Sequence, residues 1–281
     1  MKLSTTLNIY SLLENTNTPD RMIEAVKVCA ACGYEAVDLY LKRVIDLSEH
    51  ELDKWITRMQ STIADCGVTV SQCHLYFGRT EKDNLEEYEE KVAKSMAIAD
   101  RMGIEWGVVH GIDYSNLFGI PLEESIRQNV AFFQRLQERV KPKTVGLAFE
   151  NIMRCDFATA GVLIAICKEA SKYGKVGVCW DTGHANLSEG VDQGDSIRAL
   201  GGCLKCLHIH DNHGKFDEHT LPMMGTINWR EILCALREID YKGDFVYESA
   251  QPTKHLPADD ILRKELIRYS VTLGKYMLEN L

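Results

Sequence analysis

The residues with chemistry to offer recur at one kind of place, the far end of a short apolar run. His74, His110, Glu150, Asp181, His208 and Glu248 each sit at or near such an end. His184, Asp217 and His219 follow in the adjoining polar stretches. The densest segment is 204–229, LKCLHIHDNHGKFDEHTLPMMGTINW, which starts as a buried alternating run and breaks into a loop rich in His and Asp. Polar groups at the end of a buried strand are costly unless something bonds them, and a metal or a substrate is a common partner. Oxygen and imidazole donors without thiolate suit one hard or borderline divalent ion: Mn²⁺, Mg²⁺, Co²⁺ or Zn²⁺. Three or four donors around one axis would leave positions open for a substrate's oxygens. Taken singly, each residue is more simply a hydrogen-bonded strand end or a partner for the next helix N-terminus. Six successive strand ends with one ionisable group each are hard to obtain from packing alone.

Stepping along the chain gives the elements that must carry these groups. The run 3–9 reads as a first strand. Pro19 after Thr18 opens a helix that carries Met22, Ile23, Val26 and Ala30 on one face and stops at Gly33. A strand follows at 34–41. Ser48 with Glu51 forms a capping box for a helix that ends at Gly67. The pattern then repeats: strand 68–77, a helix capped by Asn84 and stopped by Gly103, strand 106–110, and a helix opened by Pro121. Strand 146–151, a buried helix over 157–172, strand 176–181 and a short helix near 196–200 lead to the strand that opens the 204–229 segment. Asn228 caps the next helix, strand 244–248 ends in Glu248, and Pro257 starts the last helix. Eight strands alternating with eight helices, with no linker or change of composition, predict α/β architecture in one domain over 1–281, a single (β/α)8 TIM barrel. A doubly wound open sheet is disfavoured because no Gly-rich phosphate loop follows the first strand. In a barrel the C-terminal strand ends converge on one face, where sites of this fold sit.

Composition narrows the partners. The formal net charge is −9, so no whole-chain basic signature points to nucleic acid or anionic membrane. The first 20 residues lack the apolar core of a signal peptide, and no run of about 18 apolar residues occurs. Ten cysteines in 281 residues are too dilute for a disulfide scaffold, which makes a reducing cytoplasm the expected compartment. The pairs Cys29/Cys32 and Cys203/Cys206 lack the context of a zinc knuckle or a redox motif and read as core. A homo-oligomer is possible, and nothing in the sequence sets its size.

The stretch 33–39 (GYEAVDL), Phe149-Glu150-Asn151, Trp180-Asp181-Thr182-Gly183-His184, His208-Ile209-His210-Asp211-Asn212, Asp217-Glu218-His219 and 225–229 (GTINW) resemble the xylose-isomerase-like barrel superfamily (AP endonuclease 2 family). That group joins sugar isomerases, epimerases and dehydratases with endonuclease IV. The resemblance covers essentially the whole chain. It implies a metal held by Glu150, Asp181, His208 and Glu248. His208 is preferred over His210 because the family's metal histidine opens a His-x-x-Asp motif. Lys is usual at that motif's third position, so His210 is a departure. Endonuclease IV matches further: His74, His110, His184, Asp217 and His219 look like its additional zinc ligands, which would make a three-zinc phosphodiesterase acting on abasic DNA. The charge of −9 and the absence of any cation in loops 111–116 and 185–190 speak against DNA, whose binding rests largely on phosphate neutralisation.

The expectation is therefore a metal-dependent enzyme acting on a small sugar or keto-polyol, with no nucleic-acid or membrane partner. Glu150 and Glu248 would exchange a proton with the carbon next to a carbonyl, through an enediolate. Two faces give epimerisation, one base moving a proton between carbons gives isomerisation, and loss of a β-hydroxyl gives dehydration. His74, His110, His184, His210, Asp217 and His219 would bind substrate hydroxyls. A non-catalytic binding module, the remaining alternative, would carry no ion.

Overall fold

The strands are short and buried, as parallel strands under a helical coat must be. In a computed structural model, which describes residues 1–11, 18–188, 190–249, 256 and 260–281, they are β1 (Leu3–Thr6), β2 (Ala36–Tyr40), β3 (Gln72–His74), β4 (Trp106–Val109), β5 (Gly146–Glu150), β6 (Val176–Asp181), β7 (Leu204–His208) and β8 (Phe245–Tyr247). They form one 8-stranded sheet in the order β7-β6-β5-β4-β3-β2-β1-β8, with parallel neighbours. Just past β7, Ile209 pairs in parallel with Tyr247 of β8. Ile209 N donates to Val246 O at 2.8 Å and Glu248 N to Ile209 O at 2.9 Å. The sheet is thus a nearly closed barrel, with helices between successive strands in a single (β/α)8 architecture.

Helix boundaries follow local chemistry. Helix α3 (Glu49–Cys66) begins with the reciprocal Ser48/Glu51 capping box and ends on Gly67 with φ 67°. Pro19 opens α2 (Pro19–Cys32), although the Thr18 side chain makes no capping bond. Asn84 precedes α4 (Leu85–Met102), yet its Oδ1 accepts from Glu81 N in the loop rather than from the helix. The first strand ends at Thr6 rather than Ile9, and α1 (Asn8–Ser11) takes the residues beyond it. Two short rim helices, α5 (Tyr114–Phe118) and α8 (Thr182–Asn186), were not legible in the apolar periodicity, because a single turn shows no repeat. The other helices are α6 (Leu122–Val140), α7 (Ala160–Ala170), α9 (Gln193–Leu200), α10 (Trp229–Glu238) and α11 (Asp260–Asn280). Pro257, the expected start of the last helix, and Glu189 of the 185–190 loop lie outside the described residues.

The strand period of two sorts the barrel interior into layers. Val108, Ala148, Cys179 and Cys206 form a separate small apolar cluster with Trp106. Two residues further along the same strands come His110, Glu150, Asp181 and His208. The apolar layer is thus the floor on which the ionisable layer rests. The main core lies between strands and helices and includes Phe132, Phe133, Phe149, Trp180 and Phe245. All ten cysteines are free thiols. No helix among the described residues is long and apolar enough to cross a membrane.

Candidate functional site

Every residue singled out by type and position lies on the C-terminal face of the barrel, but they gather into two connected groups rather than one. In the first, one ligand atom from each of His74, Glu150, His208 and Glu248 lies within 4.8 Å of the others. In the second, Asp181 and His184 meet His210, and His210 also meets Asp217 and His219 under the same limit. Asp181, expected beside Glu150, His208 and Glu248, pairs with His210 Nε2, 3.1 Å from its Oδ2 and 3.0 Å from its Oδ1. His74, expected as a hydroxyl ligand, lies in the first group beside Glu150, His208 and Glu248.

The first group is mostly buried, with Glu248 at its open edge. Glu150 is 1% exposed and His208 0%. His208 Nδ1 is 2.9 Å from Glu150 Oε1 and 3.2 Å from Glu248 Oε2. His110 Nε2 lies 3.0 Å from Glu150 Oε2. Burial works against the charge on Glu150, yet the imidazoles of His208 and His110 hold its carboxyl well below the usual range. Burial also opposes the imidazolium of His208, but Cys179, Glu150 and Glu248 raise its pKa well above the ordinary value.

Two residues of β2 complete this group, and neither was anticipated. Asp38, 0% exposed, accepts from Gln72 Nε2 at 2.9 Å and His74 N at 3.1 Å, and lies 3.2 Å from His74 Nδ1. Its other oxygen is 3.7 Å from His208 Nε2. Asp38 therefore faces the ring nitrogens of His74 and His208 that point away from the glutamates. A carboxylate behind a ligating imidazole is the usual way to fix ring orientation and tautomer. Burial opposes its charge, but the two histidines drive its pKa far down. Tyr40 donates its hydroxyl to Glu248 Oε1 at 2.6 Å. The signal for both was a strand period of two over 38 and 40, hidden inside a segment that reads as a fold signature.

The second group is built on β6 and the long loop between β7 and α10. Asp181 Oδ1 accepts from His184 N at 2.7 Å, capping α8 and presenting the His184 ring. His184 Nδ1 lies 2.9 Å from Asn151 O, and its Nε2 is 3.7 Å from Asp217 Oδ2. His219 Nε2 is 2.9 Å from the same Asp217 oxygen, and its Nδ1 is 2.8 Å from Glu248 O. The His210 and His219 rings stack at 4.0 Å. Gly183 is required beneath them: a Cβ there would lie 1.8 Å from His210 Cε1. His219 holds φ 47°, a left-handed conformation uncommon for a side chain of this size. Against the opposing effect of burial, Asp181 raises His184 to about 10 and Asp217 raises His219 to about 9. Asp181 itself, opposed by burial and held by His184 and His210, falls to about 2.

The loop is fastened from within. Asp211 accepts from Trp229 Nε1 at 2.8 Å, from Asn212 N at 2.9 Å and from Ile227 N at 3.3 Å. The Asp-Asn part of the 208–212 motif is thus structural. Trp180 is fully buried, and Trp106 starts β4 at the opposite end of the barrel, with the Lys175 ammonium 4.4 Å from its ring centre.

The donors fit a divalent cation. The carboxylates of Asp38, Glu150 and Glu248 stand among the imidazoles of His74, His208 and His110, a set of oxygen and nitrogen donors that suits a divalent ion. His208 Nε2, His210 Nδ1 and Asp217 Oδ1 are buried without a hydrogen-bond partner. Most buried polar atoms find one, and their concentration in these two groups marks a place prepared for something further.

Comparison with known proteins agrees with this architecture. Residues 26–269 match the family model described as xylose isomerase-like TIM barrel. A D-psicose 3-epimerase of Enterocloster bolteae is 32% identical over 94 residues, 31% of this chain and 29% of that one. Two other curated relatives are matched over 42% and 55% of their length, so the chain spans about half or less of these relatives. Among solved structures, a D-psicose 3-epimerase in the presence of D-fructose superposes with TM-score 0.76 at 18% identity, covering 99% of both chains. The IolI protein with a bound zinc atom superposes with TM-score 0.74 at 18% identity over 99% of this chain and 98% of that one. At such identities the likeness is one of fold, but the family match spans most of the sequence. The chain belongs to the xylose isomerase-like TIM barrel family.

Proposed function

We propose that this protein is a divalent-metal-dependent epimerase or isomerase of a small ketose or keto-polyol. The observation that carries the reading is the convergence of Glu150 and Glu248 with His74 and His208 on the C-terminal face. Glu150, His208 and Glu248 are common to the set expected from sequence and to this group. His74 completes the group as it stands, and Asp181 adjoins it. The ion would supply Lewis acidity toward a substrate carbonyl, making the adjacent carbon acidic. Glu150 and Glu248 approach from strands on different sides of the barrel mouth, so one can take a proton from carbon while the other returns one, through an enediolate. His110 at the open edge of Glu150, and His184, His210, Asp217 and His219 beyond it, would hold and orient substrate hydroxyls. Expulsion of a β-hydroxyl from the same intermediate would make the enzyme a dehydratase. The solved epimerases and the zinc-bound IolI protein support this class.

A second reading has an observation of its own. The two groups together offer donors for more than one ion, the arrangement expected of a three-zinc phosphodiesterase on abasic DNA. The net charge of −9 and the pairing of Arg79 at the mouth with Glu81, at 3.0 Å, weigh against a nucleic-acid substrate. Elemental analysis of the purified protein, with a screen of ketoses, inososes and an abasic duplex, separates the readings. One ion per chain with deuterium entering a ketose supports the epimerase; three zinc ions with strand cleavage sinks it. A protein with no bound ion and no activity would point to a binding module.

A further inference from the structure

β2 contributes none of the expected ligands, yet it touches the site more closely than any other helper element. Asp38 and Tyr40 are two residues apart, so both face the barrel interior. The Tyr40 ring stacks on His74 at 4.3 Å and 11°, and His74 stacks on His208 at 4.2 Å and 5°. The three rings form a column across the barrel mouth, from β2 to β7. From that column the Tyr40 hydroxyl reaches Glu248 Oε1 at 2.6 Å.

The contact matters because the two glutamates are held differently. Glu150 lies on the regular end of β5 and is surrounded by imidazoles: His208, His110 and His184 Nδ1, the last at 3.6 Å. Glu248 lies one residue beyond β8, where regular pairing has ended, and its carboxyl is 12% exposed. His74 Nε2 is 3.6 Å away and His208 Nδ1 3.2 Å away. The phenol makes the shortest of these contacts and occupies Oε1. That leaves Oε2 turned toward His208 and the convergent donors.

We propose that Tyr40 is the positioning residue for Glu248, fixing which carboxylate oxygen faces the reacting centre and so making the two glutamates inequivalent in the reaction. This rests on the function proposed above. In this arrangement Tyr40 acts through Glu248, the carboxylate that its hydroxyl holds. The phenol also sets a direction. An O–H donor can satisfy one carboxylate oxygen without adding charge, whereas a lysine or arginine there would neutralise the base.

The test is Tyr40→Phe, which keeps the ring column and removes only the hydroxyl. Tyr34→Phe is its control: Tyr34 is also buried, and its hydroxyl lies 2.7 Å from Ser270 Oγ away from the site. Metal-free protein of each form is titrated with Mn²⁺ by calorimetry. Solvent-deuterium wash-out is then followed separately for both epimers of a turned-over ketose. Tyr40→Phe should weaken Mn²⁺ binding about ten-fold, as loss of a partner behind a ligand does. It should also slow wash-out from one epimer by about ten-fold or more, while KM and wash-out from the other epimer stay near wild type. Tyr34→Phe should change neither, even if it lowers the melting temperature. Equal Mn²⁺ affinity in wild type and Tyr40→Phe, or equal slowing for both epimers, overturns the positioning role. If wild type acts on no ketose, the Mn²⁺ titration still decides the role of Tyr40, and the proposed function fails separately. If wild type binds no Mn²⁺, both fall.

Discussion

Two groups of imidazoles and carboxylates share one face of the barrel, and they are built in opposite ways. The His74–Glu150–His208–Glu248 group stands on strand ends, rests on the apolar layer of Ala148 and Cys206, and is backed by Asp38 and Tyr40. The Asp181–His184–His210–Asp217–His219 group draws three of its five members from the loop beyond β7; Asp217 and His219 are partly exposed, and His219 is in a left-handed conformation. The first has the rigidity that proton transfer to carbon needs, where small displacements are expensive in rate. The second presents two partly exposed polar side chains, Asp217 and His219, where hydroxyl groups could reach them. On the function proposed above, chemistry falls to the strand-borne group and recognition to the loop-borne one.

The sharpest way to break that division is to neutralise one glutamate. Glu150→Gln should reduce carbon-proton exchange by about 10³-fold or more, and Glu248→Gln by about 10²-fold or more, each with an intact fold by circular dichroism. Undiminished deuterium exchange in either would remove it from the chemistry. Next in size, the ion's fourth donor can be identified by comparing His74→Ala with Asp181→Ala. The geometry predicts that His74→Ala weakens Mn²⁺ binding by about 10–100-fold; a larger loss in Asp181→Ala would show that Asp181 leaves His210 to join the first group. Smaller still, Asp217→Asn should raise KM several-fold with kcat nearly unchanged, the signature of lost uniform binding. A fall in kcat equal to the loss in kcat/KM would move Asp217 into the chemistry.

The weakest expected effect is on the pH dependence of the metal-free protein. His184 at about 10 and His219 at about 9 stand above the ordinary 6.5. A raised folded pKa contributes stability that is complete below about pH 6.5 and lost as pH climbs through 9 to 10. Asp181 at about 2, against an ordinary 3.8, contributes above about pH 4 and loses that contribution on acidification. The melting temperature with chelator present should therefore be highest between about pH 4 and 6.5 and fall toward pH 10. A rise over the alkaline range would contradict the ion pairs described for the loop-borne group.

The sequence exposed the barrel well because its signals are local. Capping at Ser48, the glycine stops at Gly33, Gly67 and Gly103, and ionisable strand ends all sit within a few residues of the feature they report. What it hid was non-local. The neighbours that His74 and Asp181 meet across the barrel depend on the closed sheet, and no spacing encodes that distance. Asp38 and Tyr40 escaped because β2 carries no expected ligand, although their alternation places both inside. The structural role of Asp211 was invisible because its partner Trp229 lies on the next helix.

The central claim is that Glu150 and Glu248 move a proton at carbon beside a bound divalent ion. Its most direct test is nuclear magnetic resonance of a ketose incubated in D₂O with metal-reconstituted protein, alongside a chelated sample. The account predicts deuterium at one carbon adjacent to the carbonyl, dependent on the ion and lost in Glu150→Gln. Turnover of a ketose with no solvent deuterium incorporated, or incorporation that survives both the chelator and Glu150→Gln, would contradict it.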